Sequence, residues 1–181
     1  MYNIKTMKFN VDKELSMVDW HYKHSFKYIV LHHSLTTDGR VVDWSSIRKW
    51  HMGLIKGSPY HMSDVGYHLG VELVGQNVEV KIGRPLSMAG AHTIGFNDKA
   101  VGICILGSFD KNVPDSWHWM TSLYLIKRIR ERINIPIENI IGHRESFVLL
   151  KKPVEKTCPG LKFDMNLFRR DVKENWISED I

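Results

Sequence analysis

A chain of 181 residues with 43% apolar and 25% charged residues suits one compact domain with a sizeable core, and argues against both a disordered chain and an integral membrane protein. A formal charge of +5 and a pI near 9.2 favour polyanionic partners, among them nucleic acid, anionic lipid and bacterial wall polymers, and charge alone does not choose between them. Two cysteines, Cys104 and Cys158, argue against a disulfide framework, and Cys104 in the apolar run Gly102-Ile103-Cys104-Ile105-Leu106 reads as a buried, inert thiol.

Residues 1–24 read as a polar, aromatic-dotted extension ahead of a domain over residues 25–181. The run Tyr28-Ile29-Val30-Leu31 predicts a buried strand that delivers His32, His33 and Ser34 at its end. Asp43 is an N-cap for a helix from Trp44 to about Leu54, with Ile47, Trp50 and Leu54 at helical spacing and a break at Gly57, Ser58 and Pro59. Two β-branched runs, 67–74 and 78–82, flank Gly75-Gln76-Asn77 and predict a hairpin. A strand over 101–106 follows. Pro114 opens a long helix carrying Leu123, Ile126, Ile129 and Ile133, stopped by Asn134 and Pro136. Ile140-Ile141-Gly142-His143 predicts a short strand ending in histidine, and 164–176 a closing amphipathic helix with Leu167, Phe168, Val172 and Trp176 inward. The layout is α/β. Of the short basic clusters, Lys127-Arg128-Ile129-Arg130 and Lys151-Lys152, the first reads as a solvated helix face rather than a nucleic-acid patch.

Three metal donors stand at the ends of elements or in loops: a histidine after the first strand, His143 after the late strand, and Cys158 in Lys156-Thr157-Cys158-Pro159-Gly160. Imidazole with thiolate suits zinc, and three protein ligands leave the fourth tetrahedral position open, as catalytic sites do. Ten histidines and the lack of a short motif such as His-Glu-x-x-His make the spacing weak support by itself. The plainer alternative is that His143 ends a strand and Cys158 fills core space as a small hydrophobe. Adjacent residues of an extended strand face opposite ways, so only one of His32 and His33 reaches a given metal, and alternation does not say which.

In chain order the sequence carries Leu31-His32-His33-Ser34, Gly66-Tyr67-His68, Gly90-Ala91-His92 with Gly95 and Asn97, Gly102-Ile103, Gly142-His143-Arg144 and Lys156-Thr157-Cys158-Pro159. This ordered set, within residues 28–170, resembles the amidase-2 family, which includes phage amidase lysozymes and peptidoglycan recognition proteins. The resemblance implies a single α/β domain with a central mixed β-sheet flanked by helices. It implies Zn2+ held by His32, His143 and Cys158, with His32 preferred over His33 by the family pattern of apolar residue, His, variable residue, Ser. It also implies that Tyr67 and Lys156 are catalytic and flank the reacting amide. The implied activity of residues 25–181 is that of an N-acetylmuramoyl-L-alanine amidase, hydrolysing the lactyl–L-Ala amide bond of bacterial peptidoglycan, in a phage-type endolysin. The alternative is a non-catalytic peptidoglycan-binding module of the same fold; such modules have lost the cysteine ligand, whereas Cys158 is present here and favours an enzyme. Amidases that recycle small anhydro-muropeptides resemble a pattern with Asp in the last ligand position, from which Cys158 departs. Fourteen residues separate His143 from Cys158, more than in the phage amidase lysozymes, and residues 146–153 are expected to wall the substrate groove.

Lys156, two residues from a ligand, is expected near the developing oxyanion, where a preorganised charge is worth about 3 kcal/mol; its alternative is a solvated lysine. Tyr67 is expected to hydrogen-bond the attacking water or the tetrahedral intermediate, against a plain core role. No carboxylate stands out as general base, although Glu145 follows close on His143. His68 and His92 are candidates for proton transfer or for polar groove and core positions, and His33 for a place behind the ligands or in the groove. The expected partner is peptidoglycan, as its muramyl peptide, with no specific nucleic acid, no membrane span and a monomeric state. Residues 1–12 lack the apolar run of a secretory signal, which predicts residence in the host cytoplasm until lysis.

Overall fold

The computed structural model describes residues 4–22, 25–36, 43–74 and 77–174. Strand β1, Tyr28–His33, lies inside a five-stranded sheet between β4, Ala100–Ile105, and the edge strand β5, Ile140–Gly142. On the other side of β4 come β2, Leu69–Val74, and β3, Asn77–Ile82. Only the β2–β3 pair is antiparallel; β2, β4, β1 and β5 run parallel, which makes the sheet mixed. The β2–β3 hairpin is as the sequence predicts, although β2 begins at Leu69 and leaves Tyr67 and His68 ahead of it, and two of its three turn positions, Gly75 and Gln76, lie outside the described residues.

Alternation along the strands divides the molecule into two layers around the sheet. Ile29 and Leu31 of β1, Val101, Ile103 and Ile105 of β4, Leu69 and Val71 of β2 and Ile140 of β5 share one core with three helices. These are α1, Ile4–Ser16; α3, Ser116–Ile133; and α5, Met165–Lys173. Helix α1 brings the N-terminal stretch into that core through Met7, Val11 and Leu15, and Asp12 accepts from Tyr124 Oη (2.8 Å) and Arg128 Nε (3.0 Å) of α3. Helix α3 is capped by Asp115 and ends at Asn134 with φ +52°, a left-handed stop of the kind asparagine tolerates. Helix α5 starts at its Asp164 cap, but its inward face is Met165, Phe168, Asp171 and Val172. Leu167 points outward: at 100° per residue it lies about 200° round the helix from Met165, off the buried stripe. Trp176 lies outside the described residues.

The opposite face is covered by α2, Trp44–His51, by α4, His143–Leu149, and by the loops between them. Asp43 caps α2 by accepting from Ser46 N (2.6 Å), and the helix stops at His51, so Leu54 is exposed rather than packed. His143, expected to close a strand, is the first residue of α4. Among the described residues no helix is long and apolar enough to cross a membrane.

Candidate metal centre

On the face of β1 that carries Val30 lies His32, its side chain over the sheet next to Cys104 of β4. His33 turns the other way, its Nδ1 accepting from Phe109 N (3.1 Å), and it touches the cluster only through its backbone N–H, directed at Cys158 Sγ at 3.4 Å. His32, His143 and Cys158 bring one donor atom each to a point where all three lie within 4.8 Å of one another. The Nδ1 of His32 is 3.6 Å from Cys158 Sγ, and the His143 ring lies 4.7 Å from the His32 ring.

The elements that carry these donors are locked together locally. Gly142, ending β5, has no room for a side chain: a Cβ there would meet the Pro159 ring at 2.6 Å. That close approach lets the loop bearing Cys158 fold against the start of α4. Arg144, beside His143, ties the loop down by donating to the carbonyls of Thr157 (3.0 Å) and Phe163 (2.7 Å), while its own N–H donates to Cys158 O (2.8 Å). Glu145 is spent on structure. Its carboxylate accepts from Gly142 N (2.8 Å) and from both terminal nitrogens of Arg169 (2.8 and 3.0 Å).

Burial sets the protonation of the cluster. It holds the His32 imidazole well below the ordinary histidine range, assisted by the neighbouring His92 and His143 rings. Burial, then the Lys156 ammonium, lowers His143 to about 4. Both imidazoles are therefore neutral at pH 7, with lone pairs free for a cation. Burial pushes the Cys158 thiol up to about 12, only partly offset by the His33 N–H, so the thiol keeps its proton; a cation held there would draw the sulfur into its thiolate form.

Tyr67 leans over the cluster with its ring 5.0 Å from that of His32. Enclosure of its hydroxyl, with the Cys104 and Cys158 thiols nearby, raises the phenol well above its usual range, so it is a neutral hydrogen-bond donor. Lys156 is exposed on the wall of a groove of about 640 Å³, whose lining includes His143, His92, Phe147, Leu150, Lys152 and Pro153. Five of residues 146–153, namely Ser146, Phe147, Leu150, Lys152 and Pro153, thus line one wall of the groove, the first two from within α4. His68 is a core residue: Nδ1 accepts from Gly102 N (3.0 Å) and Nε2 donates to Met88 O (3.2 Å). Burial and the adjacent His68 lower His92 to about 3, so it too is neutral.

Sequence reasoning missed several residues that shape the site. His51 accepts from Gly66 N (2.9 Å) and lies against Tyr67, and buried Arg84 donates to the Val65 carbonyl (3.2 Å), so both secure the segment that presents Tyr67. Thr93 reaches His32 Nε2 at 3.2 Å. The signal for Thr93 was its place beside His92 in a motif already singled out; His51 and Arg84 carried none.

The pattern of the N-acetylmuramoyl-L-alanine amidase family matches residues 22–161, a span that contains β1, Tyr67, the groove wall and all three donors. The chain is 32% identical over 95 residues to peptidoglycan-recognition protein 2 of Holotrichia diomphalia, covering 50% of this chain and 46% of that protein. It is 28% identical over 96 residues to the endolysin of Escherichia phage T7, covering 53% and 58% respectively. The chain spans about half the length of these curated relatives. Among solved structures, the endolysin N-acetylmuramoyl-L-alanine amidase LysCS from Clostridium intestinale shares the fold with a TM-score of 0.63 at 21% identity, over 86% of this chain and 94% of that one. With the ordered motifs, the sheet and a pattern match running from before β1 to beyond Cys158, the chain belongs to the amidase-2 family of N-acetylmuramoyl-L-alanine amidases.

Proposed function

We propose that this protein is a zinc-dependent N-acetylmuramoyl-L-alanine amidase of the endolysin type, which hydrolyses the amide between the lactyl group and L-Ala in bacterial peptidoglycan. The observation that carries the reading is the convergence of His32, His143 and Cys158 at one end of an open groove. The donor set fits zinc: two neutral imidazoles and one sulfur, with a 3.6 Å His32 Nδ1 to Cys158 Sγ separation against the roughly 3.5 Å edge of a tetrahedral site with Zn–N near 2.0 and Zn–S near 2.3 Å. Zinc held there would supply Lewis acidity toward the scissile carbonyl and an acidified water at neutral pH.

The chain's own groups do the rest. The neutral Tyr67 hydroxyl donates a hydrogen bond to the attacking water or to the oxygen that gains charge. The Lys156 ammonium, close enough to His143 to depress its basicity, offsets charge on the developing oxyanion. Phe147, Leu150 and Pro153 give the stem peptide an apolar wall, and Lys152 adds a cation suited to its carboxylates. Glu145 takes no part in proton transfer, because Arg169 and the start of α4 occupy it.

Purified protein incubated with peptidoglycan, with and without a chelator, tests the reading. Newly freed L-Ala amino groups, lost on chelation and restored by zinc, are the expected result. New reducing sugar ends would indicate a glycosidase instead, and sedimentation with the wall without any cleavage would indicate a binding module.

A further inference from the structure

The motif Gly90-Ala91-His92, with Thr93, Asn97 and Gly102, has no chemical role in the mechanism above, yet it packs against the first ligand. His32 is almost wholly buried, and its two ring nitrogens meet different surroundings. Nδ1 faces Cys158 Sγ, whereas Nε2 lies 3.1 Å from His92 Nδ1 and 3.2 Å from Thr93 Oγ1. The triangle closes with Thr93 Oγ1 at 3.0 Å from His92 Nδ1.

Counting protons on this triangle selects one tautomer of His32. A neutral imidazole carries a single N–H, so a His32 that offers Nδ1 to a metal must carry its proton on Nε2. That proton finds an acceptor in Thr93 Oγ1, whose own hydrogen then goes to His92 Nδ1, or in His92 Nδ1 directly. In both cases His92 is bare at Nδ1 and protonated at Nε2, which is buried beside the Ala100 carbonyl although short of good hydrogen-bond geometry. The opposite His32 tautomer would aim its proton at the sulfur and leave no lone pair for the metal.

The turn that presents these acceptors is held from several sides. Asn97 Oδ1 accepts from His92 N and Thr93 N, both at 2.8 Å. Gly90 N donates to Asn97 O (2.8 Å), and Phe96 N to Thr93 O (2.9 Å). The His92 ring fills the space where a side chain on Gly102 would stand: a Cβ there would lie 2.4 Å from it, and the same holds at Gly90. The glycines of the motif are thus the room that the ring needs.

We propose that His92 and Thr93, fixed by Asn97, are positioning residues that hold His32 in the tautomer and ring orientation that turn Nδ1 to the metal. The proposal rests on the zinc reading above. Partners of this kind, bonded to the second nitrogen of a ligating histidine, alter metal affinity by about 10- to 100-fold.

Competition with a chromophoric chelator on the full chain measures zinc affinity directly, without reference to turnover. Thr93→Val keeps the shape and removes the hydroxyl, and it is expected to weaken zinc binding by about 10-fold or more, while Thr93→Ser stays near wild type. His92→Phe should weaken binding similarly. In the wild-type protein loaded with zinc, nitrogen NMR of the His32 ring is expected to show the proton on Nε2 and the metal on Nδ1, a measurement that needs no variant to fold. Zinc affinity equal to wild type in both Thr93→Val and His92→Phe, or a metal on Nε2, would overturn the positioning role and leave the zinc reading standing. Absence of zinc binding by the wild type would overturn both.

Discussion

His32 and His33 are joined by one peptide bond and belong to opposite sides of the sheet. On the His33 side, β1 presents Ile29 and Leu31 to α3 and α5, and even the histidine becomes part of the packing, its ring accepting from Phe109 N. The His32 side presents Val30 to Phe96, Ala100 and Ile141 and then opens to the cluster and groove. One face is closed by large apolar side chains, which makes it a source of stability. The other trades apolar contact for buried imidazoles, a thiol and a solvent-facing wall, which makes it a source of chemistry. Substitutions should therefore separate: the helical face should answer in stability, the groove face in binding and turnover.

The largest effect expected is at the groove face. Cys158→Ser should abolish zinc-dependent amidase turnover while the metal-free protein unfolds at nearly the wild-type temperature; retained full activity would remove Cys158 from the ligand set. On the helical face, Phe168 is fully buried against Trp119 and Phe163, and Phe168→Ala should cost about 3–5 kcal/mol of unfolding free energy in denaturant titrations. Its kcat, measured well below the unfolding midpoint, should stay near wild type. Loss of turnover without loss of stability in that variant would break the division between the faces.

Lys156→Met removes an exposed charge and should leave stability unchanged while lowering kcat by about 100-fold or more, the scale of one oxyanion-stabilising group. An unchanged kcat would return Lys156 to the status of a solvated lysine. The smallest effect is on pH. Burial holds His92 at about 3 and His143 at about 4 in the folded protein, below the 6.5 of an unfolded chain. The unfolded state therefore binds more protons below about pH 6.5, and the stability of the metal-free protein falls with pH from there towards the folded-state values. From about pH 7.5 to about pH 6 the loss is roughly 1 kcal/mol for each such histidine, measurable as a lower thermal midpoint. A flat profile would mean that the groove face is wetter than its burial indicates.

Element types and most boundaries were legible along the chain, since alternation in β1 and β4, the Asp43 and Asp115 caps and the Asn134 stop are local features that act over one or two turns. The inward set of α5 was only partly legible, because Leu167 is as apolar as Phe168 and nothing local reports which stripe the sheet and α3 will cover. Helix α1 escaped notice for a related reason: its three core residues sit among polar neighbours, and only the presence of β3 and α3 makes them a face. In the candidate site the identities of the donors could be read, because nitrogen and sulfur chemistry belongs to the residue type. Their surroundings could not.

By itself the sequence determined the five strands and the helices α2, α3 and α5, the family and the residue types available for chemistry, all of which depend on local periodicity, caps and the order of short motifs. Tertiary structure alone decided that the His33 ring joins the core at Phe109, that Glu145 is occupied by Arg169, and that Thr93 meets the far side of the His32 ring. Each of these depends on groups 24 to 76 positions apart brought within hydrogen-bond distance. Such contacts are set by how layers pack across the sheet, and no local stretch of chain encodes that distance.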